Sequence, residues 1–210
     1  MVGIVYATRR EAAPLLARMN ADALSVKPFE TIHLHANDDV SAMLTISGMG
    51  KVAAAMAAVH LILVHQVSAL INPGLCGSLT TAHDWGVGDV LRIDAAVEGD
   101  CDRFGQGETP VASDAHWFQE LPVAHLVTCD KPVFDRQWRD QLADLGDVAD
   151  MEGAAVARVA HRYGIPCALI KGISDGADEA GRRDVARHMQ QVSERIADII
   201  ALELAQHCGT

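Results

Sequence analysis

Short apolar runs rich in β-branched residues alternate with helix-length stretches along this chain, and that alternation leaves few folds open. Met1–Ala7 (MVGIVYA), Ser68–Asn72 (SALIN), Asp89–Ile93 (with room to continue to Glu98), Val123–Asp130 and Cys167–Asp175 (CALIKGISD) read as strands. Helices are expected after Thr8, over Lys51–His65, Phe134–Leu145 and Gly153–Tyr163, and over Val185–His207 as a long amphipathic closing helix. Thr31–Ala36 and Ser41–Ser47, joined by the NDD turn (Asn37–Asp39), read as a hairpin. Thr8 and Glu11 have capping-box spacing, and Pro14 falls in the first turns of its helix, where proline is least harmful. With no repeats, low-complexity tracts or linkers, the pattern predicts one α/β domain over residues 1–210. Its sheet should be mixed and mostly parallel, flanked by helices.

Bulk properties narrow the partners. Half the residues are hydrophobic, enough for a sizeable core, while the net charge of −11 argues against nucleic acid or an anionic membrane surface. No apolar segment reaches membrane-spanning length, and Met1–Ala7 is too short and lacks the basic flank of a signal peptide. Five cysteines, an odd number without a C-x-x-C pair, point to reduced thiols and a cytoplasmic address. Cys101–Gln119 is polar and Gly-rich, and is expected to be a mobile loop.

In open α/β sheets, ligands sit beyond the carboxyl ends of strands. That rule selects Thr8–Glu11, Gly48–Gly50, Asn72–Ser78, Asp150–Gly153 and Ser174–Asp175. Three of these places deliver an acid. Glu11 and Glu152 each lie at a helix start, where the dipole favours the ionised form. Asp175 ends an apolar strand, whose surroundings can keep a proton on it. Two ionised carboxylates and one protonatable acid suit cleavage of an N-glycosidic bond. The acid activates the leaving base, one carboxylate activates water, and the other holds the sugar hydroxyls.

The motifs SGMGKVAAA (Ser47–Ala55), INPGLCGSL (Ile71–Leu79), GVGDV (Gly86–Val90), DMEGAAVARVAHRYGIP (Asp150–Pro166) and KGISDGAD (Lys171–Asp178) resemble, in order and spacing, those of the nucleoside phosphorylase-I superfamily. Within it they most resemble the 5′-methylthioadenosine/S-adenosylhomocysteine nucleosidases. The resemblance implies that Glu11 positions the attacking water and that Asp175, steadied by Ser174, protonates the purine at N7. It implies that Met151 packs beneath the ribose, that Glu152 accepts its 2′- and 3′-hydroxyl hydrogens, and that backbone at Val133 reads the base edge. Gly50 and Gly77, in two of the matching motifs, are also substrate-binding candidates. No cofactor or metal is implied. The implied partners are a small-molecule purine nucleoside and a second copy of the chain. The apolar face of Lys51–His65 and the stretch around Asp102–Phe104 are candidates for the homodimer contact.

The chain also departs from that pattern. Leu75, followed by Cys76, stands where close relatives carry Ser or Thr after the first glycine of the Asn-x-Gly motif. Pro132 stands where they stack an aromatic ring, and Val185 falls near their 5′-pocket aromatic. These changes leave the 5′-substituent and the base open. The alternatives are a phosphate-dependent phosphorylase, a nucleosidase for futalosine or adenosylhopane, and a nucleoside-binding protein without catalysis. Plainer readings exist for single residues. Glu152 can be a helix-start acid, Asp175 a turn acid, Glu11 the capping-box acid, and Gly48 and Gly50 a strand-to-helix turn. Cys76 reads as inert packing, His33 and His35 as solvated strand residues, and Arg9 and Arg10 as surface.

Overall fold

The computed structural model describes residues 1–37, 40–101, 109–113 and 116–207; the centre of the NDD turn, the stretch around Asp102–Phe104 and Cys208 lie outside the described residues. The elements begin with β1 (Val2–Tyr6), α1 (Arg9–Arg18), β2 (Asn20–Ser25), β3 (Glu30–Asn37), β4 (Val40–Ile46) and α2 (Lys51–His65). Next come β5 (Ala69–Ser78), β6 (Val90–Glu98), β7 (Val111–Ala112), β8 (Val123–Thr128) and α3 (Arg136–Leu142). The chain closes with β9 (Val148–Asp150), α4 (Gly153–Tyr163), β10 (Cys167–Asp175) and α5 (Gly181–His207).

All the described strands join one mixed sheet in the order β2-β3-β4-β1-β5-β9-β8-β6-β10, with β7 on β6. Its centre, β4–β1–β5–β10, is parallel, as is the run β6–β8–β9. Antiparallel pairing is confined to the β2–β3–β4 edge, the short β7, and the contacts β10–β6 and β5–β9. Because β10 pairs with both β5 and β6, this half of the sheet closes on itself.

Side-chain alternation explains why the central strands read as unbroken apolar runs. Val5, Leu70 and Leu169 face Ala54, Ala57 and Leu61 of α2 and Val156 and Ala160 of α4. Ile4, Ile71 and Ile170, one residue out of phase, face Leu15 of α1 and Val192, Ile196 and Ile200 of α5. A strand between two helix layers buries both sets, at about 1.5–3 kcal/mol for each fully buried aliphatic side chain. A smaller cluster, Val97, Val127, Val133, Leu142, Ala149 and Ala177, packs beside α3. Among the described residues no helix is long and apolar enough to cross a membrane.

Several boundaries differ from the sequence reading. The strand expected to stop at Asn72 runs through Pro73 to Ser78. Pairing with β1 ends at Ile71 and pairing with β9 starts at Gly77, so one edge of β5 is open between them, where a strand tolerates proline. β2 (NADALS) is exposed along nearly its whole length, so no apolar pattern announced it; antiparallel pairing to β3 holds it. α3 starts at Arg136 because Asp135 caps it, accepting the Trp138 N–H at 2.8 Å. α5 starts four residues before Val185, at Gly181. Within the expected loop Cys101–Gln119, Val111–Ala112 pairs with β6, and Phe118 is buried with its N–H on Glu203 Oε1 at 2.9 Å.

Candidate active site

The carboxyl ends of β1, β5, β9 and β10, with the segments after β4 and β8, surround a cavity of about 470 Å³. That size lies within the ~300–1,000 Å³ of small-molecule pockets. Of the residues singled out from the sequence, Glu11, Gly77, Val133, Met151, Glu152, Ser174 and Asp175 all line it. Gly50 does not; it reaches the site through Glu152.

Glu11 is 7% exposed. Thr8 caps α1 from extended backbone, its hydroxyl accepting the Glu11 N–H at 3.3 Å and donating to Glu11 Oε2 at 2.5 Å. The Leu75 N–H approaches Oε1 at 3.4 Å. Thr8 therefore does cap the helix, while the Glu11 carboxylate is turned to the cavity and links the start of α1 to the open edge of β5.

Next to it lies a buried polar network that the sequence reading did not single out. Lys171 Nζ lies 2.8 Å from Asp150 Oδ2 and donates to Asn72 Oδ1 at 2.8 Å. Asn72 Nδ2 donates to the Val5 carbonyl at 2.8 Å, tying β1, β5, β9 and β10 together. Asp150 also accepts from the Thr128 hydroxyl at 2.6 Å and the Gly153 N–H at 2.8 Å. Burial opposes the charge on Lys171, yet the attraction of Asp150 outweighs it and holds the ammonium above its ordinary range. One signal was available: a lone lysine inside the apolar run CALIKGISD must find a counter-charge.

Glu152 caps the start of α4 in position but not by side-chain bond. Its carboxylate turns away from that helix and accepts the Gly50 N–H at 2.8 Å. The expectation that the helix start keeps it ionised does not hold. Burial, aided by Asp150 two residues before, pushes its pKa up to about 7, against the pull of the Gly50 N–H and Lys171.

Burial likewise raises the pKa of Asp175, as its place at the end of an apolar strand predicted. The Ser174 hydroxyl, 2.6 Å from Oδ1, and the Ala177 N–H, 3.0 Å from Oδ2, restrain the rise. Gly77 stands opposite because a Cβ there would come within 3.0 Å of Asp175 Oδ2. Ser174 Oγ also lies 3.2 Å from the Cys76 carbonyl, the longer of its two candidate acceptors, and His188 Nδ1 lies 3.0 Å from the Ser174 carbonyl, so β5 and α5 both border this strand end.

The remaining wall is apolar. Met49, Leu75, Pro132, Phe134, Val185 and Met189 supply it, and Arg182 is the lining cation among the described residues. Burial raises the Cys76 thiol far above its ordinary range, which makes it inert packing. Arg9 bonds Glu30 and Arg10 is exposed; neither lines the cavity. The His33 and His35 rings lie 4.1 Å apart, tilted at 56°, with His35 3.1 Å from Asp22, and His33 is only half-buried. Among the described residues no group of three His, Cys, Asp or Glu is placed to hold a metal ion.

Comparison with known proteins places the whole chain in one fold and family. The 5′-methylthioadenosine/S-adenosylhomocysteine nucleosidase of Shewanella baltica is 29% identical over 233 residues, covering 98% of this chain and 96% of its own. The S-adenosylhomocysteine nucleosidase from Streptococcus pyogenes, solved with 5-methylthiotubericidin, has a TM-score of 0.90 at 25% identity, with 98% and 96% coverage. Futalosine hydrolase of Helicobacter pylori shares the fold, with a TM-score of 0.87 at 20% identity over 97% of this chain and 96% of that one. Residues 1–205 match one family throughout, and the chain belongs to the phosphorylase superfamily.

Proposed function

We propose that the protein hydrolyses the N-glycosidic bond of a 5′-modified purine nucleoside, of the 5′-methylthioadenosine/S-adenosylhomocysteine type, releasing the free base. The observation that carries this reading is the convergence of Glu11, Glu152 and Asp175 on one cavity, with Asp175 in surroundings that favour its neutral form. Neutral Asp175 donates its proton to the departing purine, as general acid catalysis worth about 10²–10⁴-fold. Glu11 orients and deprotonates the attacking water. Glu152, in its ionised form, accepts the ribose hydroxyl hydrogens above Met151, and the backbone at Val133 meets the base edge. No step calls for a metal or an organic cofactor.

Water suits the site better than phosphate does. Beside Glu11 the wall is Leu75 and Cys76, and the nearby cations, Arg9 and Arg10, lie off the cavity. A dianion there would meet the Glu11 carboxylate, while the Lys171 ammonium nearby is already paired with Asp150 at 2.8 Å and Arg182 stands over Phe134. The test is incubation with a panel of 5′-modified adenosines and inosines in phosphate-free buffer, reading free base and identifying the sugar by mass. Turnover that requires phosphate and yields ribose 1-phosphate would make the protein a phosphorylase instead. Arg182 on the wall favours, as a second reading, a 5′ group bearing a carboxylate.

The protein is further proposed to act as a cytoplasmic homodimer. Cys76, Cys101 and Cys129 are free thiols. α2 buries Ala54, Ala57, Ala58 and Leu61 yet exposes Val52, Met56, Leu63 and Val64 at 58–71%. A helix apolar all round calls for a second surface, and a copy of the same helix supplies one. Met56→Glu should yield a monomer by sedimentation; an unchanged mass would place the interface elsewhere.

A further inference from the structure

The start of α2 is held by carboxylates that come from other elements. Gly50, at φ +96°, offers no side chain to cap the helix; its N–H donates to Glu152 Oε1 at 2.8 Å. The next N–H, that of Lys51, donates to Asp130 Oδ1 at 2.9 Å. Two N–H groups that a helix leaves without internal partners are therefore answered from the ends of β8 and β9. The Lys51 side chain then turns outward and closes the arrangement. Its Nζ donates to Asp100 Oδ1 at 2.6 Å and Glu98 Oε2 at 2.9 Å, while the Asp130 N–H donates to Asp100 Oδ2 at 2.7 Å. Lys51 is 15% exposed, and Arg158 Nε lies 2.9 Å from Glu98 Oε1 on the far side.

This arrangement ties α2 to three strand ends at once. A side chain at position 50 would strain the positive φ and place its Cβ 3.2 Å from Asp130 Oδ1. Any shift of α2 along its axis thus moves the Gly50 N–H on Glu152 and breaks the bond of Lys51 to β6 at the same time. We propose that Lys51 is a positioning residue: by clamping the ends of β6 and β8 to the start of α2, it holds the Gly50 N–H on the Glu152 carboxylate. The inference rests on the reading of Glu152 as the ribose-binding group.

The other groups facing Glu152 are Asp150 of β9, Lys171 of β10 and Glu11 of α1, and Asp175 lines the same cavity. The Gly50 N–H favours the ionised form, so freeing it raises the midpoint of Glu152. The experiment is a ¹³C-carboxyl titration of the substrate-free protein, with Glu152 assigned through Glu152→Gln. Lys51→Met should raise the Glu152 midpoint by about one pH unit, and Lys51→Arg should restore it. Asp130→Ala separates positioning from simple charge. Removing a negative charge alone lowers the midpoint, whereas losing the anchor of α2 raises it. A second readout follows from the same bond. In Lys51→Met, kcat/KM should fall about tenfold for ribosides and little for 2′-deoxyribosides. A lower midpoint in Asp130→Ala, or an unmoved one in Lys51→Met, overturns the proposal. The titration needs no substrate, so absence of hydrolysis in the wild type would refute the ribose reading without touching this result.

Discussion

Lys171 Nζ lies 2.8 Å from Asp150 Oδ2, and each side chain is about 1% exposed. An ion pair this deep is held by its additional hydrogen bonds as much as by its charges, and removing one partner strands the other in low dielectric. Lys171→Met should therefore cost about 3–5 kcal/mol in urea denaturation. Replacing Asp150 by Asn in the same chain should recover part of that loss, because the stranded charge disappears. A single mutant as stable as the wild type would show that Asp150 has another counter-charge.

Glu152 links activity to stability with a definite sign. Its folded pKa of about 7 lies above the ordinary 4.5. The stability it contributes is fully present below pH 4.5 and is lost as pH rises through about 7. Glu152→Gln, neutral throughout, should therefore be more stable than the wild type at pH 8 and should match it near pH 4. The same change should harm ribosides far more than 2′-deoxyribosides, since a charge-assisted bond contributes about 1.5–3 kcal/mol. Denaturation curves at the two pH values and kinetics on the two sugars check both halves. Equal losses on both sugars would leave Glu152 a structural acid.

The carboxylates were legible because each ends a strand or starts a helix in a motif of specific spacing. Glu11, Glu152 and Asp175 could be named before any coordinates. Their ionisation could not. Glu152 looked like an acid served by a helix dipole, yet burial dominates its ionisation, with Asp150 adding to the rise and the Gly50 N–H, from 102 residues earlier, opposing it. Strand pairing hid other parts. β9 is three residues long, too short for any periodicity, but it carries Asp150 and aims Met151 and Glu152. Pro73 marked a strand end by local rules, and only the gap between the β1 and β9 pairings explains why β5 continues to Gly77 beside Asp175.

Asp175 and Ser174 make a paired prediction. Asp175→Asn keeps shape but cannot pass a proton on, so turnover should fall about 10²–10⁴-fold with substrate affinity largely kept. Ser174→Ala removes the 2.6 Å hydroxyl bond that favours the ionised form, so the Asp175 pKa should rise further. The alkaline limb of kcat against pH should then move upward in Ser174→Ala. A limb that stays put would assign it to another group.

Arg182 bears on which 5′ group the cavity takes. Its neighbours are answered by acids: Arg136 lies 3.9 Å from Asp178, and Arg183 lies 3.7 Å from Asp184. Arg182 instead lies over the Phe134 ring, 5.9 Å from its centroid, with both residues on the cavity wall. Val185 and Met189, three and seven positions along the same helix, extend that wall as an apolar strip. A strip ending in a guanidinium complements an apolar 5′ chain ending in a carboxylate, which can be gripped by two N–H groups at once. Arg182→Ala should then lower kcat/KM about tenfold for nucleosides with a 5′ carboxylate and leave a 5′-methylthio nucleoside nearly unchanged. The difference should shrink at high salt, because the residue is exposed and its charge is screened. Lysine should rescue only part of the loss, since it offers one point charge where arginine offers a planar fork. Equal losses on the charged and neutral substrates would mean that Arg182 serves only to pack against Phe134.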